Sequence, residues 1–340
     1  MGLFRFEFNR SVIMRILISL GLFLTTGCVD AAAYGMATPT PTPSPICSPN
    51  GNFYMSNDGA IGIQSQKAMG FANDIYSRYL NNPSDLGLAR SEAIDFLAFE
   101  TRRWSHYENI KLDDNNSVQV MMTFISPELI RAVLLNHALF NISQSPLSGS
   151  NLTDFSNNIL STMDNQKKYL FLIAIQPVTN NQSTTSFQIP SSHIVLINNS
   201  GMHVTVINND NFLDQTFNLL SKLHAGFLFY PFGNLNGGEC QRVLDPLRDT
   251  SITLSIEAQF ASVQKTITWE ILFAPPLQVS GAIPTPNPNM ILPDSAKKPL
   301  EDLPGDLPIP ESSQSKDIAY WRPWGQFVWG KLTYDLFSSP

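Results

Sequence analysis

Charge is scarce in this chain. Only 14% of its 340 residues are Asp, Glu, Lys or Arg, against about 25% in an ordinary soluble domain. Asn, Ser and Thr supply much of the polar surface instead, a balance that suits an extracytoplasmic protein better than a cytosolic enzyme. Basic runs are absent as well. The formal charge is −7, and about −9 once Arg5, Arg10, Arg15 and Glu7 of the leader are set aside. Phosphate binding rests on clustered cations, so the composition argues against nucleic acid as a partner. Familiar catalytic signatures are missing too. There is no Gly-x-Ser-x-Gly elbow, and the Gly-rich stretch 234–239 lacks the Lys-Ser/Thr of a phosphate loop. The oxygen-rich turns Asp113-Asp114-Asn115-Asn116 and Asn209-Asp210-Asn211 do not follow the 12-residue spacing of a calcium hand. No cofactor and no metal are expected. What the chain has in quantity is core: 43% hydrophobic and 11% aromatic residues.

Near the N-terminus, Arg15 precedes an apolar segment, Ile16–Leu24. It is too short to span a bilayer, which takes about 20 residues, and has the proportions of a secretory signal. Thr25-Thr26-Gly27 then lead straight into Cys28. This stretch resembles the lipobox of bacterial lipoproteins, with Leu24 one place further from the cysteine than is typical. The resemblance covers only residues 14–28, and it implies cleavage before Cys28, lipid on Cys28 and residence on the extracytoplasmic side of a membrane. Ordinary cleavage and free secretion is the alternative. Met14 could be the start, since residues 14–28 make a compact signal alone. Thr38–Pro49 alternates Thr with Pro, which favours extended polyproline II and cannot build a core. Leader and spacer together read as a tether. With Cys28 lipidated, Cys47 and Cys240 remain, an even pair in an oxidising compartment. A Cys47–Cys240 disulfide would pin the spacer's end to the 234–240 loop; two free thiols are the other reading.

Residues 51–275 read as the folded domain. Tyr169–Ile175 is a continuous apolar run, as for a strand buried on both faces. His193–Asp210 alternates and doubles back at Asn199-Ser200-Gly201, a hairpin turn. Val118–Ile125 alternates as a strand, and Ser126-Pro127-Glu128 then opens a helix that runs to Phe140. Ser84-Asp85 caps a second helix with Leu88, Ile94, Leu97, Ala98 and Trp104 inward. Its Glu92, Asp95, Glu100, Arg102 and Arg103 read as a solvated face. Residues 141–165 read as a polar loop, and Phe212–Leu223 as a short helix. Phe227–Phe232 reads as a buried strand, and Ile252–Phe260 and Thr266–Phe273 alternate as strands. No helix regularly separates the strands, so the expected class is mainly β: an Ig-like or related β-sandwich with helical insertions.

Residues 276–316 form a second Pro-rich linker. Residues 317–340 carry Trp321, Trp324, Phe327 and Trp329, too many aromatics to leave in water. Either this tail docks on its own domain, for instance as an edge strand, or it is a binding surface for an envelope protein, a glycan or the membrane. The five histidines give no metal set. His193 and His203 lie on opposite faces of the hairpin if its turn is even, and some 10 Å or more apart if it is odd. His137 sits on an apolar helix face. Cys240 as a nucleophile is weaker than Cys240 as a disulfide partner. The expectation is an extracytoplasmic, lipid-anchored envelope protein with a non-catalytic binding or structural role. Its rival is a surface-anchored hydrolase whose residues converge only in the fold.

Overall fold

The computed structural model describes residues 46–57, 59–111, 116–141, 152–179, 186–190, 193–209, 216–218, 223–236, 238–245, 249–260, 263–273 and 318–333. In chain order these form β1 (Ile46–Cys47), α1 (Gly59–Asn81), α2 (Leu86–Arg103), β2 (Ser105–Lys111), β3 (Asn116–Phe124), α3 (Pro127–Phe140) and α4 (Leu152–Gln166). There follow β4 (Lys168–Thr179), β5 (Ser186–Gln188), β6 (Ile194–Asn198), β7 (His203–Thr205), β8 (Asn208–Asn209), β9 (Thr216–Asn218) and β10 (His224–Pro231). The last elements are β11 (Gly233–Asn236), β12 (Glu239–Arg242), β13 (Ser251–Phe260), β14 (Val263–Leu272) and α5 (Arg322–Leu332). The chain is therefore mixed, with three antiparallel sheets and a substantial helical layer, and not mainly β.

The central sheet runs β2-β3-β4-β10-β8. Its middle strand β4 is buried on both faces from Tyr169 to Ile175, as the unbroken apolar run requires. One face carries Phe124 and Phe171, which are cross-strand neighbours. That face meets the second sheet: Trp269 packs edge-on to Phe171 at 6.5 Å, and Phe273 packs against Phe124 at 6.1 Å. The other face carries Thr123 and Leu170 and meets the helices, for Trp324 of α5 donates to Thr123 Oγ1 at 2.9 Å. In the second sheet β14 pairs β13 along its whole length, while β6 and β5 share β13's other side. A small third sheet joins β1, β11 and β12.

Local signals held where they were strong. Ser126 Oγ accepts from Leu129 N–H, and α3 ends at Phe140. The hairpin pairs Ile197 with His203, Gly201 takes φ +78° in the turn, and Asn198 Oδ1 accepts from the Ser200 and Met202 N–H groups. Several expectations fail. Residues 152–166 form α4, whose Leu152, Leu160 and Met163 are buried at helical spacing that the Asn and Ser between them hide. Gly59–Asn81 forms α1, a helix that the sequence pattern before Ser84 did not predict. Thr216–Asn218 is a strand paired with β5 and not part of a helix. Asp95 and Glu100 are buried, not solvated, because α5 and α3 cover that side of α2. The leader, Cys28, the turns at 113–115 and 210–215 and the linker 276–316 lie outside the described residues.

Candidate functional site

Segment 46–57, at the end of the Thr/Pro repeat, is fastened to the domain by several unlike bonds. Cys47 and Cys240 form a disulfide, S–S 2.08 Å, across 193 residues of sequence. Cys47 lies on β1 opposite Gly233 of β11, and Cys240 on β12 opposite Leu235. Phe53 and Tyr54 then plunge into the core, both fully buried. Phe53 packs edge-on to Tyr169 at 4.9 Å and to Phe124 at 6.0 Å. The turn that drives them in is organised by one carboxylate at the end of α4. Asp164 accepts the N–H groups of Phe53, Tyr54 and Met55 at 2.7, 2.9 and 2.8 Å, while Tyr54 Oη accepts from Leu170 N–H. Lys167 donates to Gly51 O and Arg242 to Asn52 O. Burying a carboxylate is costly unless its lone pairs are filled, and three backbone donors fill these.

The C-terminal aromatics are also inside. Trp321, Trp324, Phe327 and Trp329 are all 8% exposed or less, so they form no solvent-facing binding surface. The tail docks on its own domain, as helix α5 and not as an edge strand. Trp324 stacks on Phe327 at 4.9 Å, and Trp329 packs on Phe140 of α3 at 5.5 Å. Gly325 allows the close approach, because a Cβ there would stand 3.3 Å from both Leu97 Cγ and Thr101 Oγ1 of α2. Arg322 grips Asp95 Oδ1 through Nε at 2.7 Å and Nη2 at 2.6 Å. Burial still raises the Asp95 carboxyl above its ordinary range, with Arg322 pulling the other way.

The arrangement nearest to acid–base chemistry lies between α2 and α3. Glu100 and Glu128 are buried, 4% and 0% exposed. Arg103 Nη1 stands 3.8 Å from Glu100 Oε2 and 4.0 Å from Glu128 Oε1. Burial, then the Glu128 charge, pushes Glu100 up to about 8, and burial raises Glu128 as well. Two carboxylates with raised pKa values are the mark of many acid–base sites. These two can hold a proton inside the fold, but in this conformation no substrate reaches them.

The histidines stay apart. His193 and His203 share a face, as an odd loop requires, but are offset by four residues of strand, about 14 Å at 3.4 Å per residue. His193 instead approaches Glu257 at 3.5 Å. His137 meets Asn141 on α3, and His106 stacks on Trp269; burial lowers the pKa of both. Among the described residues no three His, Cys, Asp or Glu side chains are grouped as metal ligands, and no helix is long and apolar enough to cross a membrane. A shallow hollow between α4 and β10 is lined by Ile159, Met163, Lys168, Leu170 and Phe229, with Lys168 over the Phe229 ring.

Known families, curated proteins and solved structures were compared with this chain, and none matches. Sequence reasoning had singled out Cys47 and Cys240 but missed Asp164, whose partners are backbone N–H groups 109 to 111 residues away. It also missed the Glu100–Glu128 pair, because charges on a helix read as solvated until another helix covers them.

Proposed function

We propose that this is an exported protein anchored in a membrane by lipid on Cys28. Its mixed α/β domain is held off the surface by the Thr/Pro spacer and acts as a binding or structural component of the cell envelope, without catalysis. The observation that carries the reading is the fastening of residues 46–57. A tether is useful only if a pull on it reaches the body of the domain, and here the spacer runs into a disulfide, the Asp164 carboxylate and two buried aromatics. On this reading the two facing sheets serve as an Ig-like, sandwich-type scaffold, stiffened by the helical layer.

The test is intact mass and detergent partition after expression in a bacterium, with Cys28→Ala as control. A wild-type chain beginning at Cys28, heavier by acyl groups and in the detergent phase, supports the anchor if Cys28→Ala loses both properties. A soluble, unmodified product sinks it. The hydrolase reading requires an opening that exposes Glu100 and Glu128, the buried pair shared by Arg103. It stands if the purified protein turns over a peptide, ester or glycan and Glu100→Gln abolishes that turnover while leaving the fold intact.

A further inference from the structure

On one side the two facing sheets each end in a strand without a further strand partner among the described residues, β2 in the central sheet and β14 in the second; the remaining edges, β7, β8 and β9, are only two or three residues long. His106 of β2 stacks on Trp269 of β14 at 5.9 Å, so these edges lie one above the other. A free edge presents unpaired N–H and C=O groups that another strand can complete. β14 is the longer, ten residues against seven, with no proline and no bulge in its register with β13. Gln264, Thr266, Thr268, Glu270 and Leu272 are all exposed on its outer face.

We propose that β14 is the docking edge for a second copy of this chain, paired antiparallel about a two-fold axis at Ile267. Closed two-fold dimers are the commonest assemblies and need a self-complementary patch. Facing residues in a continuous sheet share a face, so only registers that pair inward with inward residues extend both surfaces. With Ile267 on the axis, Thr266 faces Thr268, Lys265 faces Trp269 and Gln264 faces Glu270. Each pair is matched: hydroxyl with hydroxyl, cation with aromatic ring, amide with carboxylate. Lys265 is the kind of charge that ordinarily guards an edge, and the two-fold supplies it with a partner. Moving the axis to Thr268 sets Lys265 against Ile271 and Gln264 against Leu272. The neighbouring edge, β2, is less suited, since its full-length two-fold pairing sets Glu108 directly against Glu108, and like charges so placed repel.

The test is sedimentation equilibrium of the full chain in detergent, with far-UV circular dichroism to confirm the fold of each variant. The wild type is expected at twice the mass of one chain. Thr266→Lys with Thr268→Lys sets like charges opposite each other twice, and should weaken dimerisation more than about tenfold. Thr266→Lys with Thr268→Glu restores it, because the register puts each lysine opposite a glutamate of the other copy. Both positions are exposed, so the folds should survive. A monomeric wild type overturns the proposal, as it would if the chain's own Pro-rich segment covered the edge. So does a double-lysine variant that dimerises as well as wild type, which would move the interface elsewhere. Failure of the Lys/Glu variant to recover the dimer overturns the register.

Discussion

The two ends of the described chain grip the same strand from opposite faces by different physics. Phe53, from the N-terminal segment, packs on Phe124 at the end of β3; Trp324, from the C-terminal helix, hydrogen-bonds to Thr123, the residue before it. The N-terminal grip is short and places only two large aromatics in the core, so it relies on directed bonds: a disulfide, three N–H groups on Asp164, and side-chain donors to Gly51 and Asn52. The C-terminal grip is mostly area. Four large aromatics are buried, each removing some 150–250 Å² from water, and one arginine–aspartate pair orients them. A segment poor in apolar surface must be bonded in place, whereas one rich in it need only be aimed.

The largest effect should come from removing area on the C-terminal side. Trp324→Ala deletes a nearly fully buried side chain and the indole's hydrogen bond to Thr123, and should lower unfolding free energy by about 3–5 kcal/mol, read from urea titration. A loss below about 1 kcal/mol would mean that α5 is dispensable to the core. On the N-terminal side, Cys47→Ser or added reductant should cost about 2–4 kcal/mol. Asp164→Ala should bring a similar loss, since buried N–H groups left unpaired each cost about 1–3 kcal/mol. If the directed bonds act as one unit, these two changes combine to less than their sum.

The two grips should also differ in pH response. Glu100 sits in α2, the helix on which α5 packs, and holds its proton in the fold up to about 8, while the unfolded chain releases it near the ordinary value of 4.5. Between those values the unfolded state binds fewer protons, so stability is full below the window and falls as pH rises through it. Glu128, also raised by burial, acts in the same direction. Glu100→Gln should flatten this decline, by about 3–4 kcal/mol between pH 5 and pH 8, measured as denaturation midpoints at each pH. A wild type that gains stability over this range would refute the buried pair. The smallest effect is Gly325→Ala. Its new methyl must push back Leu97 or Thr101, at about 1 kcal/mol, read from the same urea titration.

Legibility in the sequence followed the range of the interaction. Ser126-Pro127-Glu128 marks the start of α3 because the cap is made by neighbours, and the run Tyr169–Ile175 marks a central strand because burial on both faces leaves no polar position. Helix α4 escaped notice although Leu152, Leu160 and Met163 keep its period, since Asn, Ser and Thr in the intervening positions imitate a loop. Cys47 and Cys240 could be named as candidate partners, but counting left two free thiols equally open until the structure joined them. Asp164 could not, because a carboxylate that binds backbone leaves no partner motif to find.

The sequence by itself determined the strand-forming segments 118–125, 169–175 and 252–260, the start of α3 and the need for the aromatic C-terminus to be covered, each a matter of composition or of period over a few residues. Only the tertiary structure decided that the tail is a helix against α2, that Asp95 and Glu100 are inside, and that β14 is an edge. Those outcomes depend on which surfaces face each other across more than 100 residues of chain, and burial changes what a charged or aromatic side chain does without changing the letters around it.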